Sequence, residues 1–259
     1  MKRTADRALR NVGLARAISK LGYCSRSRAA ELIRGGRVRV NGVVRKNAET
    51  PVHIGKDRVE IDGSGIGESE KIYLMLNKPR GVVTTASDER GRETIYDCLN
   101  AALGEDFAWV APVGRLDRAS EGLLLITNDS EWAARITSPE MKVDKKYHVQ
   151  VAGNLTAALM ETLVDGLTVT DGEFLRVKGA HILREGERNC WVEIILDEGR
   201  NRHIRRMFES LGVEVLRLIR VAIGRLELGE LAKGAVRVLG EEERALLFTK
   251  TARFKHAPL

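Results

Sequence analysis

The chain has 259 residues, 43% hydrophobic and only 5% aromatic, with a formal net charge of +7. That is enough apolar mass for one large domain, or a large and a small one. No run approaches the ~20 apolar residues of a membrane helix, and Met-Lys-Arg-Thr-Ala-Asp at the start leads into no secretory core. Three scattered cysteines, Cys24, Cys98 and Cys190, imply neither a disulfide framework nor a metal knuckle. The expectation is a reduced, soluble, cytoplasmic protein.

In chain order, residues 12–62 read as a small basic module. Leu14, Ala17, Ile18 and Leu21 recur at helical spacing, with Gly22 placed to stop the helix. Ser25 and Ser27 are candidate caps of a second helix that Gly35-Gly36 ends. Arg37-Val38-Arg39-Val40 alternates as a strand, Asn41-Gly42 is a turn signal, Val43-Val44 begins a return strand, and Val59 and Ile61 supply another. Residues 63–71, rich in Gly and Ser, read as a linker. A second domain is expected over 72–240, with strands at 72–76, 81–85, 109–113, 122–127, 147–151, 190–196 and 215–221. Its expected helices are 95–103, 132–136, 156–163 and 202–211. Strands outnumber helices without regular alternation, which predicts α+β with a mixed sheet. Residues 241–259 are expected to be a C-terminal segment ending in a loose basic tail.

Charge is segregated along this plan. Residues 1–62 hold 15 Lys and Arg against 6 Asp and Glu, a net of +9, whereas 63–259 hold 28 against 30. Such a block favours a polyanion partner, foremost nucleic acid. Lys20, Arg26, Arg28, Arg37 and Arg39 are the candidate phosphate contacts, Arg37 and Arg39 sharing a strand face opposite Val38 and Val40. The alternative is a merely solvated charged face.

In the larger domain, Gly114-Arg-Leu-Asp-Arg-Ala-Ser-Glu-Gly-Leu-Leu-Leu-Ile-Thr-Asn-Asp129 sets one acid, Asp117, in a polar turn before a buried strand. Arg115 and Arg118 flank it. Read as chemistry alone, Asp117 is either a catalytic carboxylate facing an anionic substrate or a structural acid capping its turn. Three basic segments accompany it: Lys78-Pro-Arg80-Gly81, Lys145-Lys-Tyr147, and Glu198-Gly-Arg-Asn-Arg202-His-Ile-Arg205-Arg206-Met207. The five histidines form no close pair, and neither a phosphate-binding glycine loop nor a nucleophile elbow is present. No cofactor or metal is expected.

Residues 15–33 and Gly36-Arg-Val-Arg-Val-Asn-Gly42 resemble an S4 RNA-binding domain more than a helix-turn-helix, because a strand and an Asn-Gly turn follow the second helix. From about 14 to 240 the chain resembles a pseudouridine synthase of the RsuA/RluB/RluE/RluF type. Its carriers are Gly114–Asp117, Gly122–Asp129 and the Glu198–Met207 segment, with Lys78–Gly81 in the correct order. The resemblance implies an S4 module followed by a mixed, mainly antiparallel catalytic sheet, and isomerisation of a uridine in ribosomal RNA. The large subunit (23S) is favoured over 16S by the Glu198–Arg206 motif. It further implies Asp117 as the catalytic aspartate, Tyr147 as the aromatic against the target base, and Arg205 as the residue pairing with the acid. Arg115 is implied to fill the gap left by the extruded nucleotide, with Lys78, Arg80, Arg202 and Arg206 as RNA contacts. His203 stands where Gln is usual, and His148 where Arg is frequent. The expected partner is ribosomal RNA or a pre-ribosomal particle, with no membrane or small-molecule cofactor, and a monomer is the default.

Such an isomerisation breaks N1–C1′ and rejoins the ring through C5, with no net redox change. The acid cannot reach a stacked nucleotide, so the uridine must leave its stack at a cost of a few kcal/mol. Stacking on Tyr147 would return roughly 1–3 kcal/mol.

Overall fold

The structure, a computed structural model, describes residues 11–86, 88–104 and 107–249. The described residues form two compact units: one takes the chain up to Tyr73 with Leu103–Ala111 and Ile126–Ser130, the other Leu74–Ala102, Pro112–Leu125 and the chain from Glu131 onward.

The first unit opens with β1 (Val12–Gly13), α1 (Leu14–Lys20) and α2 (Arg26–Arg34). Ser25 caps α2, its hydroxyl accepting from the Arg28 amide at 3.1 Å, and Gly22 turns the chain with φ 78°. Then follow β2 (Val38–Val40), β3 (Val43–Val44), β4 (Pro51–Val52), β5 (Val59–Ile61) and β6 (Ser64–Ile66). The sheet order is β3-β2-β5-β6, while β1 pairs with β4. Leu14, Ala17 and Ile18 from α1, Ala29, Leu32 and Ile33 from α2, and Val38, Val40, Val59 and Ile61 from the sheet make its core. Alternation along β2 buries Val38 and Val40 and exposes Arg39.

The expected linker is structured instead. Ser64–Ile66 adds a strand to the sheet. Ser69, Glu70 and Ile72 are held by Asn128, which receives the Ile72 amide at 2.8 Å and donates to the Glu70 carbonyl at 2.7 Å. The partner lies 56 residues downstream of Ile72, beyond the reach of local composition.

The second unit contains β7 (Tyr73–Lys78, from Leu74), α3 (Ile95–Leu103, to Ala102), β8 (Ala111–Pro112, from Pro112), β9 (Glu121–Thr127, to Leu125), α4 (Ser130–Thr137, from Glu131), β10 (Lys145–Ala152), α5 (Ala157–Asp165), β11 (Leu167–Thr168), β12 (Phe174–Leu175), β13 (Gly179–Glu185), β14 (Asn189–Leu196), α6 (His203–Ser210), β15 (Val215–Ile223), β16 (Leu226–Glu227), β17 (Val236–Val238) and α7 (Glu241–Leu246). The main sheet runs β13-β14-β10-β15-β9-β7-β17, with β16 on β15 and β8 on β9. It is mixed and mainly antiparallel, β15 and β9 pairing in parallel. The strand expected at 81–85 is a turn with one bridge, Val83 to Thr94, because Gly81 (φ 98°) breaks the extended path. Glu241–Leu246 is helical and Leu247 is buried, so the chain past 240 packs onto this unit. The expected basic tail lies, from residue 250, outside the described residues.

The β9–β15 join is a close backbone approach. Gly122 sits opposite Arg220 with φ 102°, and a Cβ there would lie 2.3 Å from the Arg220 carbonyl oxygen. Beside it, buried Glu121 accepts from Arg217 at 3.0 and 2.9 Å and from Lys233 at 2.8 Å. Burial alone would raise the Glu121 carboxyl; the two cations outweigh it and hold the group down at about 2.

Two outcomes follow. Gly122→Ala should destabilise the fold by about 2–3 kcal/mol, from backbone overlap and a disfavoured φ, read as a shift in the denaturant midpoint at unchanged slope. Because Glu121 is held below its ordinary 4.5, its stabilisation is complete above that pH and is lost as pH falls through about 2. The stability gap between wild type and Glu121→Gln should therefore be widest near neutrality and close on acidification; a gap constant with pH would contradict the ion-pair assignment.

Candidate active site

Every backbone carbonyl from Leu116 to Ser120 is captured. The Thr84 hydroxyl donates to Leu116 O at 2.7 Å, the Ser120 amide to Asp117 O at 2.9 Å, and the Gly81 amide to Arg118 O at 2.8 Å. Arg205 donates to Ala119 O at 2.9 Å and Lys78 to Ser120 O at 2.9 Å. The turn is thus held from β7, from the turn after it and from α6, all within the second unit. Asp117 Cα is fixed while its half-buried carboxylate accepts no hydrogen bond and makes no ion pair among the described residues.

That carboxylate lines a cleft of about 550 Å³ with Arg115, Tyr147, Lys145, Arg202 and Arg220. Tyr147 lies on β10, the strand between β14 and β15, with Ile194 and Arg220 as cross-strand partners. Only 9% of it is exposed. Arg115 is exposed at the rim, and Arg202 sits ahead of α6 with φ 48°.

Four expected residues stand elsewhere. Lys78 has no exposed surface and cannot touch a phosphate; its ammonium is spent on the Pro79 and Ser120 carbonyls. Burial pulls it down to about 8, while Cys98 and Asp117 favour its charged form. Arg205 makes no direct ion pair with Asp117. Its guanidinium bonds Ala119 O and Val215 O, because the turn it braces presents carbonyls toward α6. Burial pulls Arg205 below its ordinary value, and the negative charge of Asp117 works against that pull. The two charges interact without contact, and Arg205 acts as a brace behind the cleft. Arg206 is neutralised by Asp171 at 2.6 Å and Glu173 at 2.7 Å and does not line the cleft. Arg80, exposed, bonds Leu216 O at 3.3 Å and also lies outside the lining.

Three cleft-lining cations, Arg200, Arg220 and Lys145, were missing from the sequence-based site, Arg200 being taken by Glu173 and Glu198. Arg220, buried, donates to Leu123 O at 2.7 Å and leaves one terminal NH2 without a protein acceptor. Lys145 is lowered by burial and by the neighbouring Arg220 charge. The signal was present: Arg220 shares the period-two face of Leu218, and Lys145 that of Tyr147 and Val149. A cation on a core-facing register that ends in a cleft marks an anionic ligand site. His203 is buried in the cleft wall and lowered by burial. His148 lies outside the lining, its imidazole 3.5 Å from Glu193.

In the first unit, Arg26, Arg28, Arg37 and Arg39 are exposed and Lys20 half-buried. Arg28 pairs with Glu31 at 2.9 Å and Arg37 with Asp62 at 2.8 Å, whereas Arg26, Arg34 and Arg39 meet no carboxylate among the described residues.

Comparison with known proteins identifies the family. A family model described as RNA pseudouridylate synthase matches residues 72–210, and one described as S4 domain matches residues 12–59. Ribosomal large subunit pseudouridine synthase B of Bacillus subtilis (strain 168) is 35% identical over 231 residues, covering 89% of this chain and 93% of that protein. An uncharacterized RNA pseudouridine synthase of Aquifex aeolicus (strain VF5) is 37% identical over 242 residues, covering 93% and 95%. A crystal structure of pseudouridylate synthase superposes with a TM-score of 0.63 at 30% identity, covering 91% of this chain and 99% of that one. With similarity running through both halves of the chain, it belongs to the RNA pseudouridine synthase family and carries an N-terminal S4 domain.

Proposed function

We propose that this protein isomerises a uridine of large-subunit ribosomal RNA to pseudouridine, with Asp117 as the carboxylate that meets the flipped-out nucleotide. The observation that carries the reading is the contrast within one turn. Each carbonyl from 116 to 120 is bonded, yet the one carboxylate there is left uncommitted and faces a nucleotide-sized cleft. An acid retained for turn capping would spend its oxygens on backbone amides, as Asp88 does with Arg90 and Arg92. The named Bacillus subtilis relative acts on the large ribosomal subunit, which supports the choice of RNA.

Asp117 acts at the sugar: it attacks C1′, takes a proton, or stabilises positive charge there while N1–C1′ breaks. The freed ring turns, C5 bonds to C1′, and the C5 proton is lost as N1 regains one. Tyr147 packs on the ring. Arg220 and Lys145 face the anionic ribose-phosphate, and Arg115 and Arg202 guard the rim where the nucleotide enters. Arg205 and Lys78 position the acid through the turn without touching substrate. Residues 12–62 hold RNA and 72–240 carry the chemistry, on ribosomal RNA or a pre-ribosomal particle in the cytoplasm.

Asp117→Asn should abolish pseudouridine formation in transcribed rRNA by at least about 10³-fold while RNA affinity at matched salt stays within about threefold. Retained modification would remove Asp117 from the chemistry, and a pure RNA-binding role would leave wild type without turnover. Replacing Arg26, Arg34 and Arg39 together by Gln should flatten the log–log dependence of RNA affinity on salt by about 2–3, at roughly 0.7–0.9 per phosphate contact. An unchanged slope would mean these cations only solvate the fold.

A further inference from the structure

A second groove, of about 570 Å³, opens beside the cleft and shares Pro139, Asp197, Glu198 and Arg200 with it as a common wall. We propose that this groove binds a nucleotide adjoining the target uridine, its base stacked on Phe174 and its phosphate between Lys142 and Arg176. The proposal rests on the Asp117 reading, since it assigns that cleft to the uridine.

Phe174 is 54% exposed in a protein with few aromatic residues. Its exposure is built in. Strand β12 buries Leu175, so alternation turns Phe174 outward. The ring tip lies over Gly166, where a Cβ would meet Phe174 Cζ at 2.4 Å and φ is 98°. The ring tip therefore rests against backbone while about half of the side chain stays open to solvent.

The charges fit one phosphate. Lys178 is taken by Asp144 at 2.6 Å, and Arg200 by Glu198 at 3.0 Å and by Glu173. Lys142 and Arg176 are exposed and meet no carboxylate among the described residues. The two acids of the shared wall are themselves offset: Glu198 by Arg200, and Asp197 by Lys145, whose charged form it favours. What remains is an open aromatic face flanked by two uncommitted cations, continuous with a site for a nucleotide. That combination is how single-stranded RNA is held without reading its sequence. The chain leaving the flipped uridine would run along this wall, so the groove would select for unpaired nucleotides beside the target.

The test is Phe174→Ala in the full chain, with transcribed 23S rRNA as the probe. Dissociation constants are taken by filter retention, and KM and kcat from tritium release. Expected are a Kd and KM raised about tenfold and a kcat within about twofold of wild type, with both binding values restored by Phe174→Trp. Lys142→Gln with Arg176→Gln should flatten the salt slope by about 1–2. Wild-type binding by Phe174→Ala, failure of Phe174→Trp to restore it, or loss of kcat alone would overturn the assignment, as would an unchanged slope. Filter retention needs no turnover. The groove is therefore scored even if Asp117→Asn proves active, and the two readings fail separately.

Discussion

The molecule depends on the capture of five consecutive carbonyls around Asp117. A turn of this kind is ordinarily the softest part of a sheet protein, because its polar backbone looks to water. Here the donors come from a threonine hydroxyl, two amides, a buried ammonium and a half-buried guanidinium. Desolvating two cations is costly, and each is repaid by short bonds to carbonyl oxygen in a low-dielectric setting. The result is an acid whose backbone cannot move and whose carboxylate has nothing else to do.

The same economy explains why the sheet is joined as it is. The parallel contact between β9 and β15 places Gly122 under the Arg220 backbone, and the absent side chain lets the Asp117 turn lie close to the strand that carries Arg220. Glu121, clamped by Arg217 and Lys233, anchors the end of that contact. Acid, aromatic and cations thus arrive from four separate stretches of chain, around residues 115–117, 145–147, 202 and 220.

Charge is sorted by exposure as well as by position. In the first unit the uncommitted arginines lie on the surface, open to an anionic partner. In the second, the strongest cations near the cleft are buried and partly spent on carbonyls. Arg206, which reads in sequence as one more basic residue in a cluster, is cancelled by Asp171 and Glu173. Counting charges along the chain is therefore a fair guide to a polyanion partner and a poor one to which cations touch it.

Much of this was legible from residues alone. The apolar periods of Leu14–Leu21 and Lys145–Val151, the serine before α2, the Asn-Gly turn and the Gly-Arg-Leu-Asp motif are local signals, and the elements they mark formed close to the expected bounds. Local chemistry could not say that Lys78 is sealed inside, that Arg205 braces a turn instead of pairing with the acid, or that Ser64–Ile66 is a strand. Those facts depend on partners tens of residues away, which only the folded chain brings within hydrogen-bonding distance. Sequence determined the module order, the α+β class and the polar turn that sets Asp117 ahead of a buried strand, because each is written in short-range pattern. Tertiary structure decided which cations face solvent, cleft or backbone, because burial and pairing are properties of the assembled neighbourhood.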